Sequence, residues 1–173
     1  AAVQTRVGVI GLGNMGHHIA ENILRAGFPT TVFDLRPDAV EALRVAGIAD
    51  ALRARGLEVH DYGNLQGPVN PWQPPVNGYR HLPEVVEWNR LIMDAVYESL
   101  GRGELPVLLG GDHCLGIGSV TAVARHCREN GKKLCILWLD AHADFNTSEV
   151  TPSGNLHGMP VACLCGLGPD ALT

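Results

Sequence analysis

Residues 134–144 read LCILWLDAHAD: an apolar run, Leu134 to Leu139, that passes directly into Asp140-Ala141-His142-Ala143-Asp144. In an extended backbone, side chains alternate between faces, so Asp140, His142 and Asp144 project together while the alanines pack behind them. A second apolar run, Pro106 to Leu109, ends in Gly110-Gly111-Asp112-His113. Strand ends are where open α/β sheets place their chemistry. His113, Asp140, His142 and Asp144 are therefore the candidate metal ligands. Carboxylate and imidazole donors without thiolate suit manganese or a similar divalent ion. With Asp140 and Asp144 bridging, the set would hold two ions about 3.5 Å apart. Asp112 is placed to accept a hydrogen bond from the second nitrogen of His113 and so fix its ring.

The composition excludes several classes of function. With 173 residues, 46% hydrophobic and 18% charged, the chain has the makings of one sizeable globular domain or two small ones. A formal net charge of -5 with scattered Lys and Arg gives no footprint for nucleic acid. No run approaches a membrane span and the N-terminus lacks a leader pattern, so the expected location is cytoplasmic with no membrane partner. The five cysteines form no regular framework and are expected to be reduced, mostly buried thiols. Cys163-Leu164-Cys165 has no second cysteine pair to complete a metal site.

Along the chain, Val7 to Ile10 reads as a strand, followed by the glycine turn GLGNMG, a helix to about Arg25, and a strand at about Thr30 to Phe33. Gly11, Gly13 and Gly16 match the dinucleotide fingerprint, and Asp34 lies where a ribose contact is needed, which makes NAD(P) a candidate cofactor. Arg36 leaves the choice between NAD and NADP open. Helical spacing continues to about Arg55, a third strand is expected at Glu58 to Asp61, and Pro- and Gly-rich residues 63–78 read as an irregular loop. Helices are expected over Leu82 to Leu100 and Ile117 to Asn130, with strands at Val107 and Leu134 and a polar loop from Phe145 to Leu156. Strands alternating with helices predict an α/β fold, a mostly parallel open sheet with flanking helices.

Two family resemblances account for these motifs. Up to about residue 45, GLGNMG and the strand ending in Asp34 resemble the start of the 3-hydroxyisobutyrate and 6-phosphogluconate dehydrogenase superfamily. From about Ala46 to Thr173, LGGDHCLGIGS, WLDAHADFNT and TPSGNLHGMP resemble the N-terminal half of the arginases, in the ureohydrolase family. That second resemblance implies that His113 and His142 are terminal ligands of two manganese ions and that Asp140 and Asp144 bridge them. It implies further that His157 shuttles protons, and that Asn146, Thr151 and Ser153 hold the α-carboxylate of the substrate. The implied reaction is hydrolysis of L-arginine to ornithine and urea by a metal-bound hydroxide.

These resemblances divide the chain into a dinucleotide-binding segment, residues 1–45, and an arginase-like segment, residues 46–173, sharing one sheet. The join, between about Asp38 and Asp50, suggests a chimera. The later Asp-x-Asp segment and the guanidinium-gripping glutamate of the arginases have no counterpart before Thr173, so weak or lost activity is expected. The substrate helices and catalytic lysine of the dehydrogenases are also missing. Strands that in the arginases lie between those ending at His113 and Asp140 are absent too, which predicts exposed apolar edges unless a second copy or a C-terminal half covers them. Two further readings remain: an NAD(P)-binding module without catalysis, and a structural element that binds nothing.

Overall fold

The computed structural model describes residues 7–10, 25, 30–33 and 48–173. Gly11, Gly13, Gly16 and Asp34, and the expected boundary at residues 45 and 46, lie outside the described residues. The chain divides into two compact units, one holding residues up to Asn64 with Val107–Asp112, the other Leu65–Pro106 with His113–Thr173.

In the first unit β1 (Val7–Ile10) and β2 (Thr30–Phe33) pair in parallel, with Val7 opposite Thr30 and Ile10 opposite Phe33. Both strands fall where the apolar, β-branched residues place them. Helix α1 (Ile48–Arg53) follows.

The second unit is built on helices. Helix α2 (Leu82–Gly101) has a proline and Glu84 in its first turn, where a missing N–H and a negative charge are both tolerated. Val86, Asn89, Ile92, Val96 and Ser99 recur every three or four residues and form its buried stripe. It ends in a Schellman motif: Gly103, in the left-handed region at φ 77°, donates to the Leu100 carbonyl, and Glu104 donates to that of Ser99. Helix α3 (Gly116–Glu129) packs along α2 through small residues, Gly118, Ser119 and Ala122, all buried. At the crossing the Gly118 N–H donates to Asn89 Oδ1 at 2.6 Å, while the Asn89 amide donates to the Val85 carbonyl at 2.8 Å. Short helix α4 (Pro160–Leu164) closes the core with Leu156, Met159, Ala162 and Cys163. The Pro-rich segment is held against α2 by the Trp88 indole, which donates to the Pro68 carbonyl at 2.8 Å.

Three expected strands differ from the structure. Residues 58–61, 106–109 and 134–139 carry neither helix nor ladder pairing, so among the described residues the sheet is the single pair β1–β2. A β-strand is stabilised by its neighbours, and an apolar run that lacks them stays unpaired whatever its propensity. Residues 134–139 show the consequence: Leu137 is 74% exposed, and Leu134, Ile136 and Leu139 are exposed too. No described helix is long and apolar enough to cross a membrane.

The cysteines also depart from expectation. All are free, but only Cys114 and Cys163 are buried, while Cys135 and Cys165 are exposed. Burial pushes the Cys163 thiol up to about 11. The thiolate is the reactive form, so at pH 8.5 iodoacetamide should label Cys135 and Cys165 and spare Cys163 until the chain unfolds. Mass spectrometry of the alkylated peptides checks this, and equal labelling of Cys163 would refute it. The unfolded thiol ionises near 9.0, so the stability gained by keeping Cys163 neutral is present below that pH and fades as pH climbs to about 11.

Candidate metal centre

The site forms where the turn that begins at His113 meets Asp140 and Asp144. His113 opens a 3-10 turn, His113–Leu115, whose next two residues, Cys114 and Leu115, are buried in the core. Asp144 follows the segment 134–143, exposed apart from Trp138 and Asp140, at the point where the chain returns to the core. It adopts φ 49°, unusual for a residue with a side chain, and is 7% exposed. Backbone bonds hold it there: the Val161 N–H donates to the Asp144 carbonyl at 3.0 Å, and the Asn146 N–H to the Gly158 carbonyl at 2.9 Å. The start of α4 thus fixes a carboxylate that sequence reading placed at the tip of a strand.

Nδ1 of His113 lies 2.8 Å from Asp140 Oδ2 and 2.8 Å from Asp144 Oδ2. One N–H satisfies one acceptor well, so two carboxylates on a single ring nitrogen leave negative charge in excess. The one ring nitrogen and the two carboxylate oxygens that face it are donor atoms that a cation could share. One ligand atom from each of His113, Asp140 and Asp144 lies within 4.8 Å of the others, the only such trio among the described residues. This donor set fits a hard or borderline divalent ion.

Asp140 reaches both imidazoles. Its Oδ2 faces His113, while its Oδ1 accepts from the His142 N–H at 2.9 Å and lies 3.2 Å from His142 Nδ1. Burial by itself raises the Asp140 pKa, but the His142 N–H and the two imidazoles outweigh it and hold the carboxyl below its ordinary value. His142 stands apart from the trio and its side chain is 82% exposed. The structure therefore gathers three of the four expected ligands and leaves the fourth at the rim.

The expected substrate loop is ordered by its own hydroxyls. Thr151 Oγ1 accepts the Gly154 N–H at 3.0 Å and Ser153 Oγ accepts the Asn155 N–H at 3.2 Å. Each hydroxyl then keeps its own proton to donate. Asn146 is exposed beside Gly158. His157 is exposed within the 3-10 turn Leu156–Gly158.

Trp138 was missed by sequence reading. Its ring meets His113 edge to face, with centroids 5.7 Å apart at 74°, and its other edge lies against Gly116. The signal was available: two residues before Asp140, Trp138 shares its face in an extended chain.

Comparison with known proteins places these residues in context. The profile of the arginase family matches residues 36–171, and that of the NAD binding domain of 6-phosphogluconate dehydrogenase matches residues 6–60. The first begins earlier than residue 46 and the second runs past residue 45, so the two overlap across the expected join. An arginase of Brucella melitensis biotype 1 is 47% identical over 127 residues, 73% of this chain and 41% of that protein. One from Staphylococcus aureus (strain MSSA476) is 37% identical over 142 residues, 80% of this chain and 45% of that protein. The chain thus spans under half the length of these curated relatives. The crystal structure of a Bacillus subtilis arginase superposes with a TM-score of 0.67 at 32% identity, covering 76% of this chain and 42% of that one. An Entamoeba histolytica arginase in complex with L-ornithine gives 0.56 at 25% identity, covering 96% of this chain and 52% of that one.

Proposed function

Since the chain belongs to the arginase family across residues 36–171, we propose that it is an arginase-type hydrolase that converts L-arginine to ornithine and urea with manganese as its cofactor. The observation that carries this reading is the convergence of His113, Asp140 and Asp144 within 4.8 Å. When bound there, manganese supplies the Lewis acidity that makes a nucleophile from water at neutral pH.

The residues of the chain supply the rest. Asp140, held below its ordinary carboxyl pKa by the His142 N–H and the neighbouring rings, directs one oxygen toward each imidazole and would hold the metal together with His113 and Asp144. His142, largely in solvent, would be the residue to hold a second ion. The Thr151 and Ser153 hydroxyls and the Asn146 amide donate to the substrate α-carboxylate, which sets L-arginine above its decarboxylated analogue agmatine. His157, exposed on its turn, carries protons between solvent and the leaving amine. Three converging protein ligands fall short of the six positions manganese prefers, so we expect it to be held loosely and turnover to be slow.

A second reading rests on the parallel β1–β2 pair and the match over residues 6–60: the N-terminal segment binds NAD(P) through Gly11, Gly13, Gly16 and Asp34. The same overlap supports a chain joined from two families.

Urea release tests the principal reading. With manganese present the chain should release urea from L-arginine slowly, should do so faster than from agmatine, and should stop on chelation. Release no greater than that of the His113→Ala variant would refute it.

A further inference from the structure

The bonds from Thr151 Oγ1 and Ser153 Oγ shape the polar loop, but they do not say what holds it in place. A hairpin some seventy residues earlier makes that attachment. Val76 and Tyr79 exchange N–H to carbonyl bonds of 2.8 and 3.0 Å across Asn77-Gly78, whose φ values of 52° and 79° are those of a type I′ turn. The hairpin tip sits hard against the loop: a Cβ built on Gly78 would lie 2.6 Å from the Ser148 carbonyl oxygen.

Arg80, directly after the hairpin, binds the loop from both its backbone and its side chain. Its N–H donates to the Gly154 carbonyl at 2.8 Å, and it forms a parallel bridge with Asn155. Its guanidinium donates through Nε to the Ser153 carbonyl at 3.3 Å and through Nη1 to the Gln73 carbonyl at 2.9 Å. The planar fork thus spans two chain segments with fixed geometry, which the flexible ammonium of a lysine does not reproduce. Because the peptide unit is planar, anchoring the Ser153 and Gly154 carbonyls orients the Ser153–Gly154 link, and with it the base from which Ser153 Oγ projects.

We propose that Arg80, together with the Asn77-Gly78 hairpin, is a positioning device that holds the Thr151 and Ser153 hydroxyls in register and so sets selectivity for a substrate bearing an α-carboxylate. This rests on the L-arginine reading above and adds to it a residue that does not itself touch substrate. Positioning of this kind affects recognition of the carboxylate and involves none of His113, Asp140 and Asp144.

The test uses the full chain loaded with manganese and two probes that differ only in the carboxylate, L-ornithine and putrescine, titrated by calorimetry. The wild-type chain should prefer L-ornithine. Arg80→Ala should weaken L-ornithine about tenfold, the scale of one lost charge-assisted hydrogen bond, and leave putrescine unchanged. Arg80→Lys should recover part of the loss. Gly78→Ala, which crowds the Ser148 carbonyl and strains the turn at φ 79° while retaining the guanidinium, should shift the preference in the same direction and carries the test if Arg80→Ala does not fold. An unchanged ratio in folded Arg80→Ala, or an equal loss for both probes, overturns the positioning role alone. A wild-type chain that binds the two probes equally, or neither, overturns the L-arginine reading and this inference together.

Discussion

Asp140→Ala is expected to lower manganese affinity a hundredfold or more, the largest effect of any single substitution in the site. Loss of a group that merely supports a metal ligand typically costs about 10- to 100-fold, and Asp140 is placed as a ligand itself. It also stands between the two imidazoles, one oxygen toward each. Its removal therefore deprives both positions at once and leaves Asp144 alone opposite His113. His142→Ala should be much milder, because that ring is largely in solvent and outside the converging trio. Titration with manganese followed by electron paramagnetic resonance, which reads the free ion, measures both. Equal effects of the two variants would contradict the ranking, and an unaltered Asp140→Ala isotherm would remove the metal centre altogether.

Gly118→Ala is expected to produce the largest loss of stability. A methyl group at Gly118 would lie 2.3 Å from the Asn89 carbonyl oxygen and 3.0 Å from its carbonyl carbon and Cα. These are backbone atoms in the middle of α2, so relief requires the two helices to part rather than a side chain to turn. Parting them also stretches the bond from the Gly118 N–H to Asn89 Oδ1. Overpacking of this kind costs about 3 kcal/mol. For a domain of this size that corresponds to a fall of roughly 10 °C in Tm. Gly101→Ala is the control. It is exposed at the end of α2 with open space around its Cβ position, and alanine there should be neutral or slightly stabilising. Thermal melts by circular dichroism compare the two, and a Gly118→Ala chain melting within a degree or two of wild type would show that the helices do not meet as closely as described.

The stability of α2 against α3 matters to the site because His113 is carried by the turn that leads into α3. Cys114 and Leu115 are sealed in the same core as Ile92 and Ala122. A variant that separates the helices should therefore also loosen manganese, although it touches no ligand. By contrast, the surface cluster in which Arg125 stacks over Tyr97 at 4.3 Å and donates to Glu129 at 2.9 Å is exposed and contributes little.

Local patterns in the chain were enough to locate α2 and α3 and its candidate chemistry. The 3.6-residue recurrence of Val86, Ile92 and Val96 marks α2 because amphipathic burial is written in the order of residues. Alternation in Asp-Ala-His-Ala-Asp brings out the acidic and imidazole face for the same reason, and β1 and β2 follow from short β-branched runs. The tertiary structure decided three things that no local pattern contains. Residues 134–139 remain unpaired because a strand exists only through its neighbours. Asp144, not His142, joins His113 and Asp140, because the Val161 N–H and the left-handed backbone at Asp144 turn that carboxylate inward while His142 stays in solvent. Arg80 anchors the Ser153 loop from seventy-three residues away. Contacts of that kind depend on which distant segments the folded core brings together, and periodicity within a segment carries no record of them.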